Sequence, residues 1–355
     1  GGGIQRAGNA VVNAYNSILW YNSDYNPYGN VSGAGLFYCN IEDSGWGSEN
    51  GNINVEPHFC DMENGDYSLN DYSPCLSAGE DGVDIGAFGQ GCILELQTIY
   101  IDPQGSDDLG NGSMGLPFET IQYGISQASN YDTVFINSGT YNQSFHFSGK
   151  NIVVTGAGIN ETILDGVGLG QPVVEIKENE TSNAVLQDLK ITNGEYDPSD
   201  SYRAALVVNQ ADPIIRRIRV TQSNPRGIYF VGSNAQVKNI EVDNNVYQEG
   251  NYFSGAGIYI ENSVLFLDSI YIHNNVGGSG GGIATNYTLW PSQYELTKIV
   301  NSKIINNSAF YGGGGISLDD SNILLDKVII ANNYTNEKGG GIKVANNAFL
   351  ELRNT

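Results

Sequence analysis

Six segments of the chain carry one spacing of apolar and polar positions. They are LQDLKITN (186–193), IRRIRVTQ (215–222), VKNIEVDN (237–244), LDSIYIHN (267–274), IVNSKIIN (299–306) and LDKVIIAN (325–332). Counted back from the final residue, position −7 holds Leu186, Ile215, Val237, Leu267, Ile299 and Leu325. Position −4 holds Leu189, Ile218, Ile240, Ile270, Ser302 and Val328, and position −2 holds Ile191, Val220, Val242, Ile272, Ile304 and Ile330. Alternation between −4 and −2 has the period of a strand with one buried face. The step from −7 to −4 is odd, so the chain must bend or bulge between them.

The columns are constant while the intervals between segments vary, which describes a regular coil with loops of unequal length. Each segment then forms one rung stacked in parallel on the last, because parallel strands have no hairpin route and the coil itself supplies the crossover. Such crossovers are overwhelmingly right-handed. The pattern therefore predicts an all-β fold, a right-handed parallel β-helix with rungs about 4.8 Å apart.

The residue at position zero is Asn193, Asn244, Asn274, Asn306 and Asn332, with Gln222 in the remaining rung. Asn tolerates the left-handed backbone region and suits a sharp corner. Stacked corners are expected to set one side-chain amide on the next as a ladder. A second repeated motif, GGGI, begins at residues 1, 280, 313 and 339. Its glycines let rungs approach closely, and the following Ile (Ile283, Ile316, Ile342, with Ile228 and Ile258 at equivalent places) is expected to point inward.

The same template places Tyr15, Ile18 and Trp20 on the inward positions of an early rung. Residues 1–92 then read as the last turns and the tail of a first β-helix, and 93–97 as a linker. Residues 98–160 read as the opening module of a second, and 161–355 as its turns. Pro117 followed by Ile121, Ile125 and Ala128 predicts a short capping helix over 117–128. Both chain ends fall within this pattern, so the sequence reads as a segment of a longer tandem protein that continues into further turns.

Composition narrows the function. Only 15% of the 355 residues are charged, 46 are Gly, and the net charge is −23. A generic nucleic-acid binder needs a basic face, so that class is set aside. No apolar run reaches membrane-spanning length. The four cysteines, Cys39, Cys60, Cys75 and Cys92, lack zinc-type spacing. Disulfides in an oxidising compartment suit them, with buried free thiols as the alternative. Cys60 and Cys75 flank one loop, whose closure by a disulfide is worth about 3 kcal/mol. The pairing of Cys39 and Cys92 stays open.

PHFCDMENGDYSLNDYSPCLSAGEDGVDIGAFGQGC (57–92), above all its SPCxxAG and DIGAF elements, resembles the tail of secreted bacterial right-handed β-helix proteins of the pectin-lyase-like superfamily. IYIDPQGSDDLGNGSMGLPFETIQYGISQASNYDTVFINSGTYNQSFHF (99–147) resembles the opening segment of the same superfamily, with Gly124 where Ala is commoner. The resemblance implies the fold and an extracellular or cell-surface setting. It leaves the activity open between lyases, hydrolases, epimerases, adhesins and surface repeat proteins.

A lyase of this superfamily implies carboxylates holding Ca²⁺ against a uronate and an Arg or Lys base on the outer face. Asp188, Arg217, Arg219 and Lys238, with Arg216, are the matching outward residues, and Asp188 and Arg217 share position −5 on adjacent rungs. The same set also describes a solvated ladder of opposite charges. A hydrolase needs two carboxyls, for which Asp319 with Asp320, or Asp197 with Asp200, are available. Asp102, Asp107, Asp108 and Asn111 gather oxygen ligands in one loop and make calcium a candidate ion, with an Asx turn as the alternative. The reading requires no cofactor. Trp46, Trp290 and Tyr271 are candidate sugar-stacking groups. With no compact acid–base constellation, the sequence favours a structural, adhesive or carbohydrate-binding protein with a polysaccharide or surface glycan as partner. The alternative is a polysaccharide lyase or glycoside hydrolase acting on an acidic polysaccharide.

Overall fold

The computed structural model describes residues 4–5, 11–20, 31–32, 35–42, 49–195, 204–246, 254–286 and 296–355. The chain divides into two compact units, Gly1–Glu95 and Leu96–Thr355. In the larger unit, parallel strands stack into a coil with three principal faces. The first face runs from Thr98–Ile101 through Thr133–Ile136, Val153–Gly156 and the leading halves of Val185–Thr192 and Ile214–Thr221, and ends at Phe349–Arg353. The second face contains the trailing halves of those two long strands, then Glu241–Asp243, Tyr271–His273, Lys303–Ile305 and Ile329–Ala331. The third contains Ile228–Val231, Ile258–Glu261, Ile283–Asn286, Ile316–Asp319 and Ile342–Ala345. Short strands at Val276–Gly277, Ser308–Ala309 and Tyr334–Thr335 pair beside them.

The apolar columns fill the interior. Leu186, Ile215, Val237, Leu267, Ile299 and Leu325 are fully buried, as are Ile191, Val220, Val242, Ile272 and Ile304. They join one continuous core cluster with Ile218, Ile240, Ile270 and Val328, and Ile330 packs against its end. Ser302 takes its inward place because its hydroxyl donates to the Val300 carbonyl at 2.5 Å and accepts from the Ile270 amide at 3.1 Å. The inferred bend is a left-handed residue at position −5, with φ between 50° and 57° at Asp188, Arg217, Asn239, Ser269, Asn301 and Lys327. A third left-handed corner follows the third-face strands at Gln210, Gly232, Asn262, Asp320 and Asn346.

Position zero is the remaining corner, with φ between 52° and 56°. The amide ladder lies one residue later than expected. Buried Asn245, Asn275 and Asn307 pass their side-chain amides to the next rung's Oδ1 at 3.0, 2.9 and 3.1 Å, and Asn333 ends the row. Each Asn of position zero has its peptide turned into the left-handed region, which takes its side chain off the stack. Asn193 reaches Asp165 instead, and Asn274 reaches His273. The residue after the corner re-enters the core, so the ladder forms there.

The capping helix is Ile121–Gln127, shorter than the 117–128 expected. Asp107 Oδ1 accepts the amides of Glu119 and Thr120, and Asp107 Oδ2 accepts the Thr120 hydroxyl, so residues up to Thr120 stay outside the helix. Ile121, Gly124 and Ile125 form its buried face. A Cβ on Gly124 would lie 2.2 Å from Ile101 Cδ1, so an Ala here would require the Ile101 side chain to shift.

The smaller unit carries part of a coil, in which Asn13–Tyr15 pairs Gly35–Phe37 and Ile18–Leu19 pairs Asn40–Ile41, both in parallel. Its register differs by one residue from the sequence expectation. The left-handed corner is Asn16, so Ala14 and Leu19 pack on the cluster of Leu36, Cys39 and Ile41. Tyr15 points outward, 51% exposed and stacked on Phe37, and Trp20 is only partly buried. A one-residue slip exchanges the two faces of a strand.

The disulfide joins Cys60 to Cys92, not to Cys75. Strands Phe59–Asp61 and Gln90–Cys92 both pair with Asp66–Asn70, which brings the two Cα atoms to 6.0 Å. Cys75 is turned into a core of Leu69 and Ile85, where Asn40 Nδ2 donates to its sulfur at 3.0 Å. Cys39 is a second buried free thiol. Among the described residues no helix is long and apolar enough to cross a membrane.

Candidate functional site on the second face

The sites raised by the sequence fare differently. Arg217 and Asp188 meet as the shared −5 column requires: Arg217 Nε and one terminal nitrogen each lie 2.7 Å from an Asp188 carboxylate oxygen. Arg216 donates to Gln187 at 2.7 Å. Lys238 pairs with Asp268 at 3.5 Å, and Arg219 turns to the following rung, gripping both oxygens of Asp243 at 2.8 Å. The four candidate residues are thus divided among three separate ion pairs and do not converge on one point.

The proposed calcium loop is occupied by its own hydrogen bonds. Asp102 accepts from the Gln104 amide and from Asn137, Asn111 accepts from the Ser113 amide, and Asp107 accepts the amides of Glu119 and Thr120. Among the described residues, Asp102, Asp107 and Asp108 do not gather as a metal-binding group. Asp319 accepts from Asn346 and Asp320 from Asn347, each on the following rung. Trp46, Trp290, Asp197 and Asp200 lie outside the described residues.

The outward side of the second face is the richest assembly. Register places Arg219, Glu241, Tyr271 and Lys303 in one column on consecutive rungs. Asp243 and His273 are register partners in the neighbouring column. His273 Nε2 lies 3.0 Å from Glu241 Oε1, and its ring stacks on Tyr271 with centroids 4.1 Å apart. Tyr271 is 36% exposed, whereas Asp243 is fully buried. Bonding to Asp243 raises the Arg219 pKa, and bonding to Asp188 raises that of Arg217. The Asp268 carboxyl is lowered, chiefly by the Asn301 amide.

Glu241, Asp243 and His273 were missed from the sequence. Their columns, −3 and −1, were readable as outward, but an outward Glu or His has no special meaning until its neighbour on the next rung is known. A second missed group stands on the third face. Tyr229 and Tyr259 lie on consecutive rungs with centroids 5.2 Å apart, Arg226 sits 4.4 Å from the Tyr259 ring centre, and Tyr229 donates to Glu261. The related strings IYFV and IYIE were its only signal. Tyr229 is buried, so this group is closed and not presented. Within the smaller unit, Phe59, Tyr67, Phe88 and Ile18 line a cavity of about 430 Å³.

A search of curated proteins finds no match. Among solved structures, a pectin methylesterase in complex with a hexasaccharide is 15% identical, with a TM-score of 0.48 over 71% of this chain and 92% of its own. Pectin methylesterase PemA from Erwinia chrysanthemi is 13% identical, with a TM-score of 0.45 over the same shares. XylC in complex with xylose is 11% identical, with a TM-score of 0.44 over 72% of this chain and 70% of its own. The family model described as right handed beta helix region matches residues 173–355, more than half of the chain. The stacked parallel rungs and this match together establish that the chain belongs to the right-handed β-helix family.

Proposed function

We propose that the chain is a carbohydrate-binding β-helix with a structural or adhesive role outside the cell, and that it binds polysaccharide along the outward strip of its second face. The observation that carries this reading is the column Arg219, Glu241, Tyr271, Lys303, which presents one polar or aromatic side chain on each of four consecutive rungs. A planar donor, an ammonium donor, a carboxylate acceptor and an aromatic face in one line suit the hydroxyls and the apolar face of successive sugar rings. A straight line of such groups along the coil suits a linear polymer.

Binding is favoured over turnover by the charges. A base that removes a proton from sugar carbon must first release its own, and the pairing of Arg217 and Arg219 opposes that release. The disulfide Cys60–Cys92 supports an oxidising compartment.

The test is binding of the whole chain to an array of neutral and acidic polysaccharides, with unsaturated uronates and new reducing ends measured in parallel. The expected result is binding without turnover, reduced at least tenfold by Tyr271→Ala. Turnover that disappears in Arg217→Ala would replace this reading with a lyase. No binding to any polysaccharide would reject the strip as a sugar site.

A further inference from the structure

We infer that Glu241, Asp243 and His273 form a binding site for a divalent transition-metal ion, with Arg219 as a built-in competitor for the same carboxylates. This inference goes beyond carbohydrate binding and does not depend on it.

The site follows from the coil. Glu241 and Asp243 are two residues apart on one strand and emerge on the same side. His273 lies directly over Asp243 on the next rung. One ligand atom from each of the three falls within 4.8 Å of the others. Among the described residues this is the only such group of three His, Cys, Asp or Glu side chains. A nitrogen and two carboxylate oxygens suit zinc or a neighbouring first-row ion, whereas calcium prefers oxygen alone.

The donors are also held in place. Tyr271 stacks on the His273 ring at 4.1 Å, and Asn274 Nδ2 lies 2.9 Å from its Nδ1. With that amide donating to Nδ1, the proton sits on Nε2 and points at Glu241 Oε1, 3.0 Å away. Turning over the Asn274 amide moves the proton to Nδ1 and leaves Nε2 as a lone-pair donor. The orientation of the Asn274 amide thereby sets which tautomer His273 adopts.

Arg219 supplies the balancing charge. Its guanidinium holds both oxygens of Asp243 at 2.8 Å and stands 3.8 Å from Glu241. Asp243 is fully buried, so its negative charge requires a cation beside it. Arg219 is one third exposed and can withdraw to solvent when an ion takes that role. A metal at this point ties two rungs together by their side chains.

The full chain, freed of metal by chelator and dialysis, is titrated with ZnCl₂ and separately with MnCl₂ by calorimetry. One equivalent of Zn²⁺ is expected to bind, and His273→Ala and Glu241→Gln each to weaken it at least tenfold. Arg219→Gln is expected to tighten binding about tenfold, an outcome that a merely structural ion pair does not produce. Glu119→Gln, in the opening module, is expected to have no effect. Circular dichroism checks that each variant folds, and His273→Gln replaces His273→Ala should that variant fail to fold. The inference is overturned if the wild-type chain shows no saturable Zn²⁺ binding. It is equally overturned if loss of His273 changes nothing, or if Arg219→Gln weakens the ion.

Discussion

Asn275 donates its side-chain amide to Oδ1 of Asn307, one rung further on, at 2.9 Å inside the coil. The same nitrogen also reaches the Val242 carbonyl at 2.9 Å, and Asn275 Oδ1 accepts both the backbone and the side-chain amide of Asn245. Its neighbour Asn274 occupies the left-handed corner and takes no part in this row. Adjacent asparagines therefore do different work, one satisfying buried polar groups and the other bending the chain.

That division can be measured. Asn275→Ala leaves several buried groups unpaired and is expected to cost about 3 kcal/mol. Asn274→Gly keeps the corner conformation and is expected to cost less than about 1 kcal/mol. Urea unfolding of both variants checks the difference, and equal losses would remove the distinction between ladder and corner.

The disulfide is expected to link the peptides carrying Cys60 and Cys92 in a non-reducing mass map. Cys39 and Cys75 are buried free thiols, and burial raises the Cys75 pKa. Both are expected to resist alkylation until the chain is denatured. With a sequence separation of 32, loss of the bridge in Cys92→Ser is expected to destabilise the smaller unit by about 3–4 kcal/mol.

The GGGI glycines are spacers between rungs. A Cβ on Gly281 would stand 2.1 Å from the Ser308 carbonyl oxygen, whereas on Gly340 the nearest heavy atom is 3.0 Å away. Gly281→Ala is expected to cost about 3 kcal/mol, because backbone must move to admit the methyl group. Gly340→Ala is expected to cost distinctly less. Thermal unfolding of the two variants decides the order.

Asp268 sets part of the acid limit of stability. Its carboxyl is held below the usual value by the Asn301 amide first, with Ser269 and Lys238 adding to it. A depressed folded pKa contributes stability that is complete above the unfolded pKa. That contribution is lost as pH falls through the folded one. Asp268→Asn is therefore expected to flatten the acid limb of a stability–pH curve and to leave its alkaline limb unchanged. An unaltered acid limb would show that Asp268 contributes nothing there.

The resemblance of residues 57–92 and 99–147 to pectin-lyase-like tails and opening segments pointed to the same fold as the column pattern. The columns of Leu186, Leu189 and Ile191 and their equivalents determined which side of each strand is inside, because burial of apolar surface selects one register over all others. The odd step between −7 and −4 required a bend, and the left-handed −5 residues supply it. In the first rung the same reasoning slipped by one residue. There Tyr15 looked like a core residue, while small Ala14 fills the inward place. An isolated rung offers too few repeats to fix its register.

Sequence alone therefore determined the coil, its parallel stacking and its interior, since each follows from a pattern repeated rung after rung. Tertiary structure alone decided the partner of Cys60, the start of the helix at Ile121, the place of the amide ladder, and the meeting of Glu241, Asp243 and His273. Each of these depends on which residues stand side by side on neighbouring rungs or strands. That adjacency is set by loop lengths and corner angles, and no single segment encodes it.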